Sequence, residues 1–195
     1  MTGQAAVRWL GGLAILAIAA AAYWVLRVDE TVLAPTDLGR GDYRLVRMDG
    51  TPFTEASLRG APSLVFFGFT HCPDVCPTTL GDLAGWQAEM GDAWAGLRVF
   101  FVSVDPERDS AEILTDYVGW LPGVQGVTGA REETDKALRA FRIFAARVPL
   151  EGDEYTMDHS SSILMFDARG RLAGTIAYQS PQDEAVGKIK VLLGG

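Results

Sequence analysis

Ser63–Phe69 (SLVFFGF) is a continuous apolar run rich in β-branched and aromatic residues, and Leu97–Val104 is a second. Strands that are apolar on both faces have to be covered on both, so such runs belong inside a sheet with helices on each side. The segments between them fit. Leu80, Leu83, Ala84, Gln87 and Met90 recur near helical spacing within Pro77–Met90, and Pro77 suits a first helical turn. Asp109-Ser110-Ala111-Glu112 has capping-box spacing and opens a helix to about Val118. Glu132–Phe141 places Ala137, Leu138 and Phe141 on one helical face. Upstream, Tyr43–Met48 alternates and ends at a hairpin signal, Asp49-Gly50. Downstream, Ser161–Phe166 and Arg171–Tyr178 read as strands joined by a turn over 167–170, and Ser180-Pro181 starts a last helix to Leu193. The order predicts an α/β fold, a mixed sheet flanked by helices, of thioredoxin-like architecture.

Trp9–Leu26 is a stretch of 18 residues without a charge. At about 1.5 Å per residue it spans roughly 27 Å, close to a hydrocarbon core. Trp9 at one end and Tyr23 and Trp24 at the other suit the membrane interface. The expected organisation is a cytoplasmic N-terminus over 1–8, a single transmembrane helix over 9–26, a tether over 27–40 and an exported domain over 41–195. The alternative is a cleaved signal peptide, with Ala20 and Ala22 before a cut ahead of Tyr23.

Twenty-five Asp and Glu against 17 Lys and Arg give a net charge of −8. Nucleic-acid affinity rests on Lys and Arg neutralising phosphates, so nucleic acid is excluded as a partner class.

Both cysteines lie within Cys72-Pro73-Asp74-Val75-Cys76. A disulfide here closes almost no loop and is a poor scaffold staple, so the pair points to redox or metal chemistry. It lies where a buried strand meets a helix, a position where open α/β sheets place their sites and where a helix N-terminus lowers a thiol pKa. Spacing i, i+4 on a helical turn puts both sulfurs on one face. That permits a reversible disulfide or two thiolates on one soft ion. Only His71 and His159 can add an imidazole. His71 adjoins Cys72, and neighbouring side chains point apart. His159 reads either as a ligand or as a capping or packing residue. Asp158 before it either orients the imidazole or begins a turn. Asp105-Pro106-Glu107-Arg108-Asp109 reads as structural: a strand end, a proline turn and a helix cap.

The segments FFGFTHCPDVCPTTL (Phe66–Leu80), VSVDPERD (Val102–Asp109) and DHSSSILMFD (Asp158–Asp167) together resemble the SCO/SenC family of copper-binding proteins, over roughly Leu38–Leu193. The resemblance implies a thioredoxin-like domain tethered by an N-terminal helix, on the periplasmic or intermembrane-space side of the inner membrane. It implies a copper metallochaperone, not an enzyme, that helps build the dinuclear copper centre of cytochrome c oxidase. Its partners would be the copper-bearing oxidase subunit, an upstream copper donor and a thiol reductant. Carried over by position, the metal ligands are Cys72, Cys76 and His159, with Cys72 and Cys76 also forming a redox-active disulfide. Asp74 and Asp158 match acidic positions beside those ligands. Trp120–Gln125 lacks the charged, histidine-bearing character common there in the family.

Two thiolates and one imidazole suit Cu(I); Cu(II) calls for a fourth donor, and zinc does too. The rival reading is a thiol–disulfide oxidoreductase acting on the oxidase cysteines. Against it stand a three-residue spacer and Asp158-His159 where thioredoxin-type enzymes carry a cis-proline. A copper or redox sensor uses the same residues.

Overall fold

A computed structural model of the chain describes residues 37–194. The transmembrane helix expected over 9–26 lies outside them. No helix among the described residues is long and apolar enough to cross a membrane.

The first apolar run forms β3 (Ser63–Gly68), buried at every residue. It pairs in parallel with β4 (Arg98–Ser103), which comes from the second run, and antiparallel with β8 (Ile163–Phe166). The parallel run continues into β5 (Val124–Thr128). Antiparallel β1 (Leu45–Arg47) and β2 (Pro52–Phe53) close one side, and β9 (Leu172–Ile176) closes the other. The sheet of seven strands runs β2-β1-β5-β4-β3-β8-β9. The β1–β2 turn follows its residue chemistry: the Asp49 carboxylate accepts from the Thr51 amide at 2.9 Å, and Gly50 sits at φ 82°.

Alternation along the central strands sorts two aromatic layers. Phe66 and Phe101 meet edge-on at 5.6 Å, and Phe101 meets Tyr117 of α2 (Ala111–Val118) at 5.7 Å. On the opposite face Phe141, at the end of α3 (Arg131–Ala140), packs on Phe67, Phe166 and Tyr43. Each fully buried ring contributes about 1.5–3 kcal/mol through burial. Two further helices are α1 (Val75–Met90) and α4 (Gln182–Leu192), joined on their surfaces by Gln182 donating to Glu89 at 2.6 Å.

Three expectations need correction. The tether does not reach residue 40: Leu38 is buried in the core, and the Gly39 amide donates to Ala140 at 2.8 Å. The cap of α2 is Ser110, whose hydroxyl accepts from the Ile113 amide, and Asp109 faces inward instead. A strand, β5, occupies 124–128, where the sequence pattern predicts none. Gly126 hides it from propensity, and that glycine is required: a Cβ there would stand 2.7 Å from Leu114 Cβ. Also unforeseen is a separate hairpin of β6 (Ala145–Pro149) and β7 (Tyr155–His159), whose residues are half-buried or exposed apart from Met157 and carry no apolar period.

Candidate functional site

β3 ends at Gly68, and Phe69–Asp74 carry the chain into α1. Cys72 lies in this loop and is half-buried. Cys76, the second residue of α1, is fully buried. Starting the helix at Val75 makes Cys72 and Cys76 neighbours across one turn, and the Cys76 amide donates to Cys72 Sγ at 3.4 Å. β8 runs antiparallel to β3, so the segment entering β8 arrives at the end where β3 leaves. β7 delivers His159 there. Its Nε2 lies 3.8 Å from Cys76 Sγ, and its ring meets Phe69 edge-on at 5.7 Å.

The donor atoms of Cys72, Cys76 and His159 all lie within 4.8 Å of one another. An ion about 2.0–2.3 Å from three ligands in a plane sets neighbouring donors roughly 3.7 Å apart, so closure needs shifts of about an ångström or less. His159 Nδ1 contacts the Ser160 carbonyl at 2.9 Å. A carbonyl only accepts, so Nδ1 carries the proton and Nε2 turns its lone pair toward the sulfurs.

The Ser160 carbonyl thus orients the imidazole, one of the two readings of Asp158, whose side chain is exposed. Asp74 is also exposed and accepts from Thr78 at 3.4 Å, with no polar contact to the three donors. His71 stays outside the cluster, its Nδ1 at 3.1 Å from Thr70 Oγ1.

Burial dominates the Cys76 thiol and pushes its pKa well above the ordinary 9.0, with Cys72 and Asp109 adding to the rise. The helix N-terminus was expected to lower a thiol pKa here; for Cys76 the loss of water outweighs it. Cys76 is therefore a neutral thiol at neutral pH when no metal is bound, and ion capture must displace its proton.

Two supports escaped the sequence reading. Gly68 forms the floor: a Cβ there would stand 2.8 Å from Cys76 Sγ and 2.9 Å from Phe101 Cε2. The available signal was a glycine inside an otherwise apolar strand. Asp109, fully buried, accepts from Thr70 Oγ1 and from Ser103 Oγ, each at 2.6 Å, and from the Thr70 amide. It pins the start of the cysteine loop to the end of β4. Burial pushes its pKa up, while Ser103 and Thr70 pull it down.

Fold and site together define a class: a thioredoxin-like α/β domain with a dithiol and an imidazole at the end of an interior strand of its sheet. The sequence profile of the SCO1/SenC family matches residues 33–194, and the chain belongs to that family. Protein SCO2, mitochondrial, of Saccharomyces cerevisiae is 27% identical over 94% of this chain and 66% of its own length. Protein SCO1, mitochondrial, of the same organism is 31% identical over 76% of this chain and 52% of its own. The chain thus spans roughly half to two-thirds of these curated relatives. The copper-bound structure of Bradyrhizobium japonicum ScoI superposes with a TM-score of 0.73 at 35% identity, covering 80% of this chain and 99% of that one. Copper-bound yeast Sco1 gives 0.72 at 31% identity, over 80% and 87%.

Proposed function

We propose that the protein is a copper metallochaperone. It holds copper on Cys72, Cys76 and His159 and passes it to the dinuclear copper centre of cytochrome c oxidase. The observation that carries this reading is the convergence of the two sulfurs with an imidazole nitrogen 83 residues away, its lone pair aimed at them. Relatives solved with copper bound support the choice of ion. Two thiolates and one nitrogen form a soft, three-donor set that accepts Cu(I) and leaves a position open for a recipient ligand. Loading requires both thiols reduced, so a thiol reductant and an upstream copper donor are part of the reading. The working location is a single-pass anchor over 9–26 with the folded domain on the periplasmic or intermembrane-space side.

The test is copper binding by reduced full-length protein in detergent. Wild type is expected to bind one copper per chain; His159→Ala should lose affinity and change the Cu(II) spectrum, and an unchanged spectrum removes His159 from the ligand set. In cells lacking the protein, oxidase activity should fall and recover with added copper.

One observation favours a second reading. Cys72 is partly exposed and Cys76 buried, the asymmetry of a dithiol whose outer sulfur attacks and whose inner sulfur resolves. On that reading the protein reduces the oxidase cysteines. Measuring the dithiol potential alongside Cu(I) affinity separates the two.

A further inference from the structure

The segment over 105–109 reaches both halves of the site. Asp109 holds the cysteine loop. Asp105 and Arg108 turn their side chains to the β6–β7 hairpin, with the Arg108 guanidinium carbon also 5.9 Å from the Phe69 ring centroid. Asp105 is fully buried, and its carboxylate accepts from Tyr155 Oη at 2.8 Å and from Arg108 Nε. Arg108 Nη1 donates to the Tyr155 carbonyl at 3.0 Å.

The Tyr155 ring has the Arg108 guanidinium carbon 3.7 Å from its centroid and that of Arg147 at 3.4 Å. Two groups that close to one centroid would overlap on a single face, so the ring is held between them. Tyr155 is the first residue of β7 and His159 the last. At about 3.3 Å per residue, the strand is a short rod with the clamp at one end and the imidazole at the other.

The hairpin is not paired into the main sheet. Near His159 its hydrogen bonds are internal: the Ser160 amide donates to Phe144 at 3.0 Å, and the Phe144 amide to Ser160 Oγ at 3.2 Å. The Tyr155 clamp is the polar tie at the far end of the rod; at the near end buried Met157, Ala145 packed on the core opposite His159, the edge contact of Phe69 with His159 and the short link into β8 join it to the body carrying the cysteines.

We propose that Asp105, Arg108, Tyr155 and Arg147 are positioning residues that set His159 against the cysteine pair, so that copper retention depends on them, while removing the Tyr155 ring leaves the dithiol in place. The inference rests on the reading of His159 as a copper ligand. Groups that orient a metal ligand typically change metal affinity about 10–100-fold when removed.

The experiment is a double-mutant cycle on full-length protein in detergent, using Cu(I) competition titration and the Cu(II) absorption spectrum. Tyr155→Ala is expected to weaken Cu(I) binding about tenfold and to shift the spectrum toward that of His159→Ala. In the His159→Ala background it should add no further loss, and the Cys72–Cys76 potential should stay at the wild-type value. Wild-type affinity and spectrum in Tyr155→Ala overturn the clamp, as does an equal loss in both backgrounds. Wild-type copper binding by His159→Ala overturns the ligand reading and the clamp with it. Should Tyr155→Ala fail to fold, Tyr155→Phe, which keeps the stacked ring, and Arg147→Ala, at an exposed position, carry the same comparison with smaller losses of the same sign.

Discussion

Replacing Gly68 by alanine probes the floor of the site directly. The added Cβ would stand 2.8 Å from Cys76 Sγ and 2.9 Å from Phe101 Cε2. Comfortable contacts between such atoms begin at about 3.5 Å, so roughly 0.6–0.7 Å must be found on each side. Both neighbours are buried, Cys76 completely and Phe101 nearly so, and Phe101 is braced by Phe66 and Tyr117. Overpacking of this kind costs about 1–3 kcal/mol. At about 2–4 °C per kcal/mol for a chain of this size, the melting temperature should fall by roughly 2–12 °C. The larger effect falls on the metal: ligand distances tolerate only about 0.2 Å, and the sulfur must move several times that. Copper competition against a chromophoric Cu(I) chelator should therefore show at least about a tenfold loss of affinity in Gly68→Ala. Affinity within about twofold of wild type would refute the claim that this glycine makes room for the sulfur.

Three further outcomes follow from the same geometry. The folded state holds Cys76 as a neutral thiol with a raised pKa, so its contribution to stability is complete below the ordinary thiol value of 9.0 and declines as pH rises beyond it. Tyr43, raised by burial from 10.0, steepens the loss above pH 10. Denaturant titrations of the copper-free protein across alkaline pH should show this decline, and Cys76→Ser should flatten its first part. Ser110→Ala removes the cap of α2 and should cost about 1 kcal/mol in denaturant unfolding while leaving copper titrations unchanged. Tyr117 Oη is buried without a partner among the described residues, so Tyr117→Phe should leave stability unchanged or raise it by up to about 1 kcal/mol; a clear loss would reveal a bond to that hydroxyl.

What the sequence conveyed depended on whether burial leaves a pattern. The runs that became β3 and β4 are apolar on both faces, and the cysteine pair sits at a recognisable strand–helix junction, so the sheet centre and half of the site were legible. His159 was ambiguous because β7 and its partner β6 are half-buried or exposed apart from Met157, which leaves little hydrophobic spacing to read. Asp109 misled for a different reason. Its position fits a capping box, yet Ser110 performs that task, leaving a buried carboxylate free to receive Thr70 and Ser103. Side-chain destinations across 39 residues of sequence cannot be read from local spacing. Gly68 and Gly126 looked like weaknesses in strands, but each is a place where a neighbour comes too close for any side chain.

The uneven exposure of the two sulfurs also gives the site a direction. Cys76 is sealed beneath by Gly68 and the Phe101 ring, while Cys72 and His159 both reach toward water. An incoming ligand has one face to approach. Transfer of an ion from this cradle would therefore run in a set sequence, with the two outer donors exchanged first and the sealed sulfur as the final anchor, regaining its proton as the cargo departs.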